Sequence, residues 1–389
     1  MVNEVKNSKI LVIDDMEFSL QLIREILVGS GYTNVVTCTT YRETLEELTK
    51  GGIDLVLLDL ALDDADGLDV CKFITQNVLT QDIPIIIQSG TQDLSKKAKA
   101  FDLGAKDFIS KPIDQAELLA RVKLQLEQRQ LYRSLAESNA RMSKELKEAR
   151  RMLMSLLPSE DTITKITSDK NLDISSYYQP SSELGGDFYD VFDLGDGRIG
   201  VFVWDFAGHG VSAAINTFRL HSLVHDNQHL LTKPGPFLTL LNNKLYKLLP
   251  RNQFVTMFYG IIDTTNKEMR YCCASCPPPA LVSFKDNKTF SFNTSSFPLG
   301  IQDKHEFKTK VMSLKGWDAM LLYSDALIET KNAIDQYLTI DDLITHVNDN
   351  LDHSNITACA LKDIIMTKFK KEFSKNLTDD LTLKIVKFN

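Results

Sequence analysis

With 389 residues the chain is too long for one ordinary domain and points to two or three. Apolar residues at 43% and charged residues at 25% give a globular composition, with cores that need neither a structural metal nor disulfides to form. A formal net charge of −8 disfavours nucleic acid as a partner, and no apolar run nears the ~20 residues of a bilayer span, which excludes a membrane-spanning helix.

From residue 9 to about 124, short apolar runs alternate with amphipathic stretches. Ile10-Leu-Val-Ile13, Leu55-Val-Leu-Leu58 and Ile83-Pro-Ile-Ile-Ile87 are apolar throughout, as strands buried on both faces are. Between them Phe18, Leu22 and Ile26 recur at helical spacing, and Leu94, Ala98 and Phe101 roughly so. Strands alternating with helices predict an α/β domain with a doubly wound, flavodoxin-like parallel sheet.

Functional groups in such a sheet gather at the carboxyl ends of its strands. Asp14 and Asp15 end the first strand, Asp59 the third and Ser89 the next, and Lys111 follows the last. Any one of these carboxylates could cap a turn; all five groups in this order are far more specific. Three converging carboxylates repel one another unless a hard cation sits among them, and oxygen ligands with room for water suit Mg²⁺. Asp59 is then a nucleophile towards phosphorus, with the metal and Lys111 absorbing charge and Ser89 offering a hydroxyl.

With these residues, and with Gly67, Phe108 and Pro112, the segment over 8–124 resembles a response-regulator receiver domain. The resemblance implies a sensor histidine kinase as phosphodonor, the Ala61 carbonyl in the Mg²⁺ site, and inward movement of Ser89 and Phe108 on phosphorylation. The family usually has Met-Pro three and four residues after the acceptor. Here stand Leu62 and Asp63, with Asp64 and Asp66 beyond, an acidity expected to bear on the lifetime of the phosphoryl group.

From 114 to 157 the chain has neither glycine nor proline and predicts one long helix ended by Pro158. Leu131, Leu135, Ser138, Met142, Ala149, Met152 and Leu156 trace an imperfect seam at three- and four-residue steps. A dimeric coiled coil is expected there, a solvated connector helix being the alternative.

Beyond it, strands are predicted over 198–205, 254–263, 269–273, 281–284, 319–324 and 381–388, and helices over 211–226, 237–249 and 357–373. Hairpin-like turns at Gly195-Asp-Gly197 and Thr264-Thr-Asn266 imply mixed or antiparallel sheets with helices outside. Acidic residues again mark strand ends: Asp187 after Gly185-Gly186, Asp205 before two glycines, Asp325 after Leu321-Leu-Tyr-Ser324, and Asp379/Asp380 before the last strand. Such a set suggests a binuclear Mg²⁺ or Mn²⁺ site that activates water and clamps a phosphoryl group.

These spacings resemble the metal-dependent serine/threonine phosphatases (PPM family) in their SpoIIE/RsbU-like branch. The resemblance covers about 145–389 and includes Glu148-Ala-Arg-Arg-Met152, Leu156-Leu-Pro158, Phe254-Val-Thr-Met-Phe-Tyr-Gly260 and Pro298-Leu-Gly300. It implies an α+β sandwich of two β-sheets flanked by helices. It also implies that Asp205 bridges two metals, that the Phe206 carbonyl is a ligand, that Asp187 holds a metal-bound water, and that Asp325 and Asp379 hold the second metal. Asp380 is the alternative to Asp379.

Three positions depart from the pattern: Ala326 where the family has glycine, Leu153 where it has glutamine, and Ala274-Ser-Cys-Pro-Pro278 where it has Ala-Gly-His-Pro-Pro. Ala326 is expected to strain its loop or crowd the metal water. Cys273 and Cys276 have no second pair at ligand spacing and read as structural, His209 reads as a turn residue, and His221, His225 and His229 as a partly exposed helix face without a further ligand. With no secretory signal and scattered cysteines, a cytoplasmic protein is expected.

The resulting expectation is a receiver over 1–124, a helical linker over 125–158 and a phosphatase over 159–389. Phosphorylation of Asp59 would control a phosphatase acting on a phosphorylated anti-sigma-factor antagonist of the STAS type, within a homodimer formed through the linker. The rival is a catalytically inactive adaptor that uses the phosphatase fold to bind a sigma factor, an antagonist or a protease component.

Overall fold

The computed structural model describes residues 5–90, 94–168, 170–208, 210–284, 286, 288–350, 356–373 and 377–388. The chain divides into two compact units, Met1–Ser143 and Lys144–Asn389.

The first unit runs β1 (Lys9–Ile13), α1 (Glu17–Gly29), β2 (Asn34–Cys38), α2 (Tyr41–Lys50), β3 (Leu55–Asp59), α3 (Gly67–Gln76), β4 (Ile85–Gly90), α4 (Leu94–Asp102), β5 (Asp107–Lys111) and the start of α5 (Gln115–Leu156). All pairings are parallel, in the order β2-β1-β3-β4-β5, which is the expected doubly wound sheet. Alternation along each strand splits the core in two. Leu11, Val56, Leu58, Ile85 and Ile87 pack with Val70 and Ile74 of α3, and Ile10, Val12, Leu57 and Ile86 with Leu20 and Ile23 of α1 and Leu118, Val122 and Leu126 of α5. Those last three recur every four residues, so one stripe of α5 seals the sheet. One turn further on, Arg129 donates to the Ile53 carbonyl (3.0 Å) and Arg133 pairs with Asp54 (2.5 Å), extending the helix's hold on this unit.

The second unit begins within α5 and continues with α6 (Glu160–Thr167), β6 (Leu172–Gln179), β7 (Phe188–Gly195), β8 (Arg198–Phe206), α7 (Val211–Asp226), α8 (Pro234–Leu248), β9 (Val255–Asp263), β10 (Glu268–Ala274), β11 (Ala280–Ser283), β12 (Lys288–Ser291), β13 (Lys310–Ser313), β14 (Ala319–Tyr323), α9 (Ala326–Glu329), α10 (Ile340–Asn350), α11 (Ala358–Glu372) and β15 (Leu381–Phe388). Two antiparallel five-stranded sheets form, β13-β10-β9-β8-β7 and β12-β11-β14-β15-β6. Val201, Val203 and Phe258 of the first face Leu281, Met320, Leu322 and Val386 of the second. Helices α7 and α8 cover one outer face through Leu220, Phe237 and Leu241, and α10 and α11 the other through Leu343, Leu361 and Ile365. This is the sandwich that the resemblance implied.

The C-terminal end of α5 packs within this second unit. Leu146, Ala149, Leu153 and Leu156, spaced three, four and three apart, meet Leu184, Ala214 and Phe218. Two members of the predicted seam, Ala149 and Leu156, are therefore used inside the chain, and Leu153, where glutamine was expected, is buried among aliphatics. Leu131, Leu135 and Met142 stand exposed.

Candidate functional site

Two carboxylate clusters form, one in each unit. In the first, β1 and β3 lie side by side and end level, so Asp14, Asp15 and Asp59 bring carboxylate oxygens within 4.8 Å of one another. Asp14 is fully buried and accepts hydrogen bonds from the Met16 amide (2.9 Å) and the Ser19 hydroxyl (2.6 Å). Lys111, at the end of β5, reaches across the sheet to Asp14 (2.8 Å) and also pairs with Asp59, whose other oxygen accepts from the Ala61 amide (3.1 Å). Burial works against the Lys111 charge, but its hydrogen bonds to Asp14 and Asp59 outweigh that and hold its pKa above the ordinary lysine value. Asp15 is raised by burial and by the charges of Asp63 and Asp14. One lysine shared by two of three gathered carboxylates leaves negative charge uncompensated, and the donor set is all oxygen. A hard cation such as Mg²⁺ fits it.

Ser89 is buried at the end of β4 with its hydroxyl on the Gly90 carbonyl (3.1 Å). Phe108 on β5 lies between Phe101, the Lys97 ammonium (4.5 Å from the ring centroid) and the Arg121 guanidinium of α5 (5.3 Å). Of the extra acids beyond Asp59, Asp64 accepts from the Tyr41 amide at the start of α2 (2.8 Å) and Asp66 caps α3 through the Leu68 amide (3.0 Å). Both satisfy helix-terminal N–H groups that have no partner inside the helix. Asp63 alone acts on the cluster, through Asp15.

In the second unit the carboxylates gather at one end of both sheets. Asp187 directly precedes β7 and Asp205 lies near the end of β8, where Phe188 pairs with Trp204. Asp325 follows β14 and Asp379 precedes β15, where Tyr323 pairs with Leu383. Asp187 is almost wholly buried; one oxygen accepts from the Thr382 hydroxyl (2.6 Å) and the other, Oδ1, has no hydrogen-bond partner among the described residues. Burial and the neighbouring Asp205 raise its pKa far above the usual carboxylate range, and burial with the charges of Asp325 and Asp379 does the same to Asp205. Asp325 is pushed up to about 6 by burial and by Asp379. Like charges beside a buried orphan oxygen are offset by a cation, and the all-oxygen donor set fits Mg²⁺ or Mn²⁺. No three of the four close within 4.8 Å as the first cluster does.

The adjacent Asp379 and Asp380 part company here. Asp380 accepts from the Ser181 amide (2.7 Å), the Ser181 hydroxyl (3.0 Å) and the Gly186 amide (2.6 Å), which fixes the loop carrying Asp187. A side chain at Gly185 would lie 2.4 Å from the Tyr178 hydroxyl and 2.5 Å from Asp380, so only glycine permits this approach. The Phe206 carbonyl faces the same loop at Gly186.

Ala326 does not strain its loop as anticipated. Its backbone is helical at the start of α9, after Asp325 at φ −61°, and its methyl is buried in the apolar core beside Leu327. His209 lies outside the described residues. Sequence reasoning passed over Thr382 and Ser324. Ser324 donates to the Asp380 carbonyl (2.9 Å) and accepts from the Thr382 amide (2.8 Å), tying the ends of β14 and β15 together beneath the carboxylates. The available signal was the serine directly before Asp325; Thr382, two residues after Asp380 and inside a strand, offered none.

Residues 195–389 match the family model of Stage II sporulation protein E (SpoIIE), and residues 10–123 that of the response regulator receiver domain. Phosphoserine phosphatase RsbP of Bacillus subtilis (strain 168) is 28% identical over 174 residues, covering 44% of this chain and 43% of that protein. Alkaline phosphatase synthesis transcriptional regulatory protein PhoP of the same organism is 37% identical over 117 residues, covering 30% and 48%. The chain thus spans less than half the length of these curated relatives. Among solved structures, the SiaA-PP2C domain of Pseudomonas aeruginosa superposes over 65% of this chain and 100% of that one with a TM-score of 0.55 at 16% identity, a likeness of fold.

Proposed function

We propose that this chain, which belongs to the Stage II sporulation protein E (SpoIIE) family and carries a response regulator receiver domain, is a response regulator whose output is a metal-dependent serine/threonine protein phosphatase. The observation that carries the phosphatase reading is the buried Asp187–Asp205 pair with an unpartnered Asp187 Oδ1, backed by Asp325 and Asp379 at the same sheet ends. In it, Asp205, the Phe206 carbonyl, Asp325 and Asp379 would hold two Mn²⁺ or Mg²⁺ ions, and Asp187 would hold the water they activate. When bound, such ions supply Lewis acidity towards a phosphoryl oxygen and lower the pKa of water. The chain's own part is to hold the carboxylates apart and aimed. Thr382 fixes Asp187 from the opposite sheet, and Asp380 fixes the loop before it.

In the receiver, over 1–124, an Asp59 oxygen attacks the phosphorus of a sensor kinase's phosphohistidine, and the imidazole leaves. Lys111 exchanges its Asp59 contact for the transferred oxygens, and Asp14, Asp15, Asp59 and the Ala61 carbonyl are the groups that would hold Mg²⁺, which would offset charge on the phosphoryl group. The new charge of about −1.5 to −2 draws on the Ser89 hydroxyl and resets Phe108, which touches α5 through Arg121. The same helix, through the linker of 125–158, ends on Leu184 and Ala214, beside the loop that carries Asp187. That continuity is the proposed route from Asp59 to the phosphatase of 159–389.

The substrate proposed is a phosphoserine or phosphothreonine on a STAS-type anti-sigma-factor antagonist. A relative named as a phosphoserine phosphatase supports that class. The linker is proposed to pair two copies, and the setting to be the cytoplasm. Mn²⁺-dependent release of phosphate from a phosphoserine protein tests the reading: wild type is expected to turn over and Asp205→Ala to lose activity. Absence of turnover with either metal, together with no calorimetric metal binding, would leave the adaptor reading in its place.

A further inference from the structure

His221 and His225 stand four residues apart on α7, one turn above each other on the same face. The third member of the sequence pattern, His229, falls beyond the end of that helix at Asp226 and is exposed. What the sequence did not offer, the fold does. Strand β7 passes beneath α7 and brings Asp190 to the pair, so that one ligand atom from each of Asp190, His221 and His225 lies within 4.8 Å of the others.

The three side chains are held as a set. The imidazole centroids are 4.3 Å apart, the edge of Phe188 meets His221 at 5.5 Å, and Phe192 lies 5.4 Å from His225. Asp190 is 7% exposed; its Oδ1 accepts from the Val191 amide (2.7 Å), and its Oδ2 faces His225 Nε2 at 3.9 Å, too far for a hydrogen bond. On the far side of that ring, the Gln228 amide lies 3.0 Å from Nδ1. The near atom is the amide Nε2; turning the amide over puts its oxygen there to accept an Nδ1–H, which would free His225 Nε2 to ligate, as an outer-shell partner of a ligating histidine does. Burial holds the Asp190 carboxyl up to about 6 and the His221 imidazole down to about 4, so near neutrality they are a carboxylate and a neutral imidazole, the ligating forms. Lys384 also acts on Asp190 through charge, but its ammonium is directed to the Ser176 hydroxyl (3.3 Å) and lies over the Tyr189 ring.

Two imidazoles and one carboxylate are a borderline donor set that selects Zn²⁺, unlike the all-oxygen clusters described above. Donors ~2.0 Å from a tetrahedral ion lie roughly 3.3 Å apart; Asp190 Oδ2 and His225 Nε2 stand 3.9 Å apart, so a small swing of the partly exposed His225 closes them. We propose that Asp190, His221 and His225 form a Zn²⁺ site, open at a fourth position to water, that pins β7 to α7. The clamp would steady Asp187, three residues upstream of Asp190, and the turn that leads from Asp205 into α7.

Equilibrium dialysis of the full chain against Zn²⁺, in excess Mg²⁺ to occupy the oxygen-only sites, tests this. Wild type and Asp205→Ala are each expected to retain a Zn²⁺ that His225→Gln and His221→Gln bind at least about tenfold more weakly. Zn²⁺ is expected to raise the melting temperature of wild type and not of His225→Gln, whose metal-free melting stays that of wild type. Equal Zn²⁺ affinity and stoichiometry in wild type and both histidine variants, or no Zn²⁺ bound by wild type in excess Mg²⁺, would overturn the site.

Discussion

Asp379 and Asp380 are indistinguishable as sequence, yet their surroundings separate them. Asp380 spends both oxygens on three donors of the 181–186 loop besides its charge on Asp187 and Asp205, whereas Asp379 bears on Asp205 and Asp325. Asp380→Ala leaves those donors without a partner, and each buried one left unmet costs ~1–3 kcal/mol. We expect it to lower the melting temperature as well as activity, and to lower melting more than Asp379→Ala does; parallel melts and assays of the two variants check this. His221 gives the folded state a pH dependence of its own. Its folded pKa of about 4 lies below the ordinary 6.5, so between these values the unfolded chain takes a proton that the folded chain refuses. Wild type, free of metal, should lose stability relative to His221→Gln as pH falls from about 6.5 to about 4. Asp190, raised to about 6, has the opposite slope over much of that window and is common to both proteins, so the difference between two denaturation series isolates His221. The strand-end acids were legible because acidic residues closing apolar runs are unusual. Thr382 was not, because a threonine within a strand is ordinary until the opposite sheet brings Asp187 to it.

At the scale of elements, continuous apolar strands announced themselves, and half-covered ones did not. β2 and β6 carry polar residues and partly exposed positions at a sheet edge, so neither reads as a buried run. The long helix was legible from composition, but which face meets what was not. The seam read from the sequence mixes Ala149 and Leu156, packed in the second unit, with Leu131, Leu135 and Met142, which are exposed. Leu153 faces Leu184 and Ala214, so Leu153→Ala should cost ~2–4 kcal/mol where the cavity does not collapse. We expect that variant to retain phosphorylation of Asp59 while losing most of the effect of phosphorylation on hydrolysis. A phosphate-release assay with and without a phosphodonor reads that separation.

Across the whole molecule, two acidic clusters share one helix, each built by carboxylates converging at the ends of sheet strands. The receiver cluster is tight and only partly balanced by Lys111; the second is looser, deeper and carries an orphan oxygen. The first is thus suited to accept a phosphoryl group and the second to bind cations that remove one. If the exposed Leu131 and Leu135 pair two copies, Leu135→Glu should shift the sedimenting species from dimer to monomer without altering Asp59 phosphorylation. Charge placed on Asp59 is proposed to reach Asp187 and Asp205. Mn²⁺-dependent hydrolysis of a phosphoserine protein by the full chain, with and without the phosphoryl mimic beryllium trifluoride, measures that coupling. We expect a severalfold change in rate for wild type, none for Asp59→Asn, and no turnover for Asp205→Ala. A wild-type rate that is measurable but identical in both conditions would contradict it.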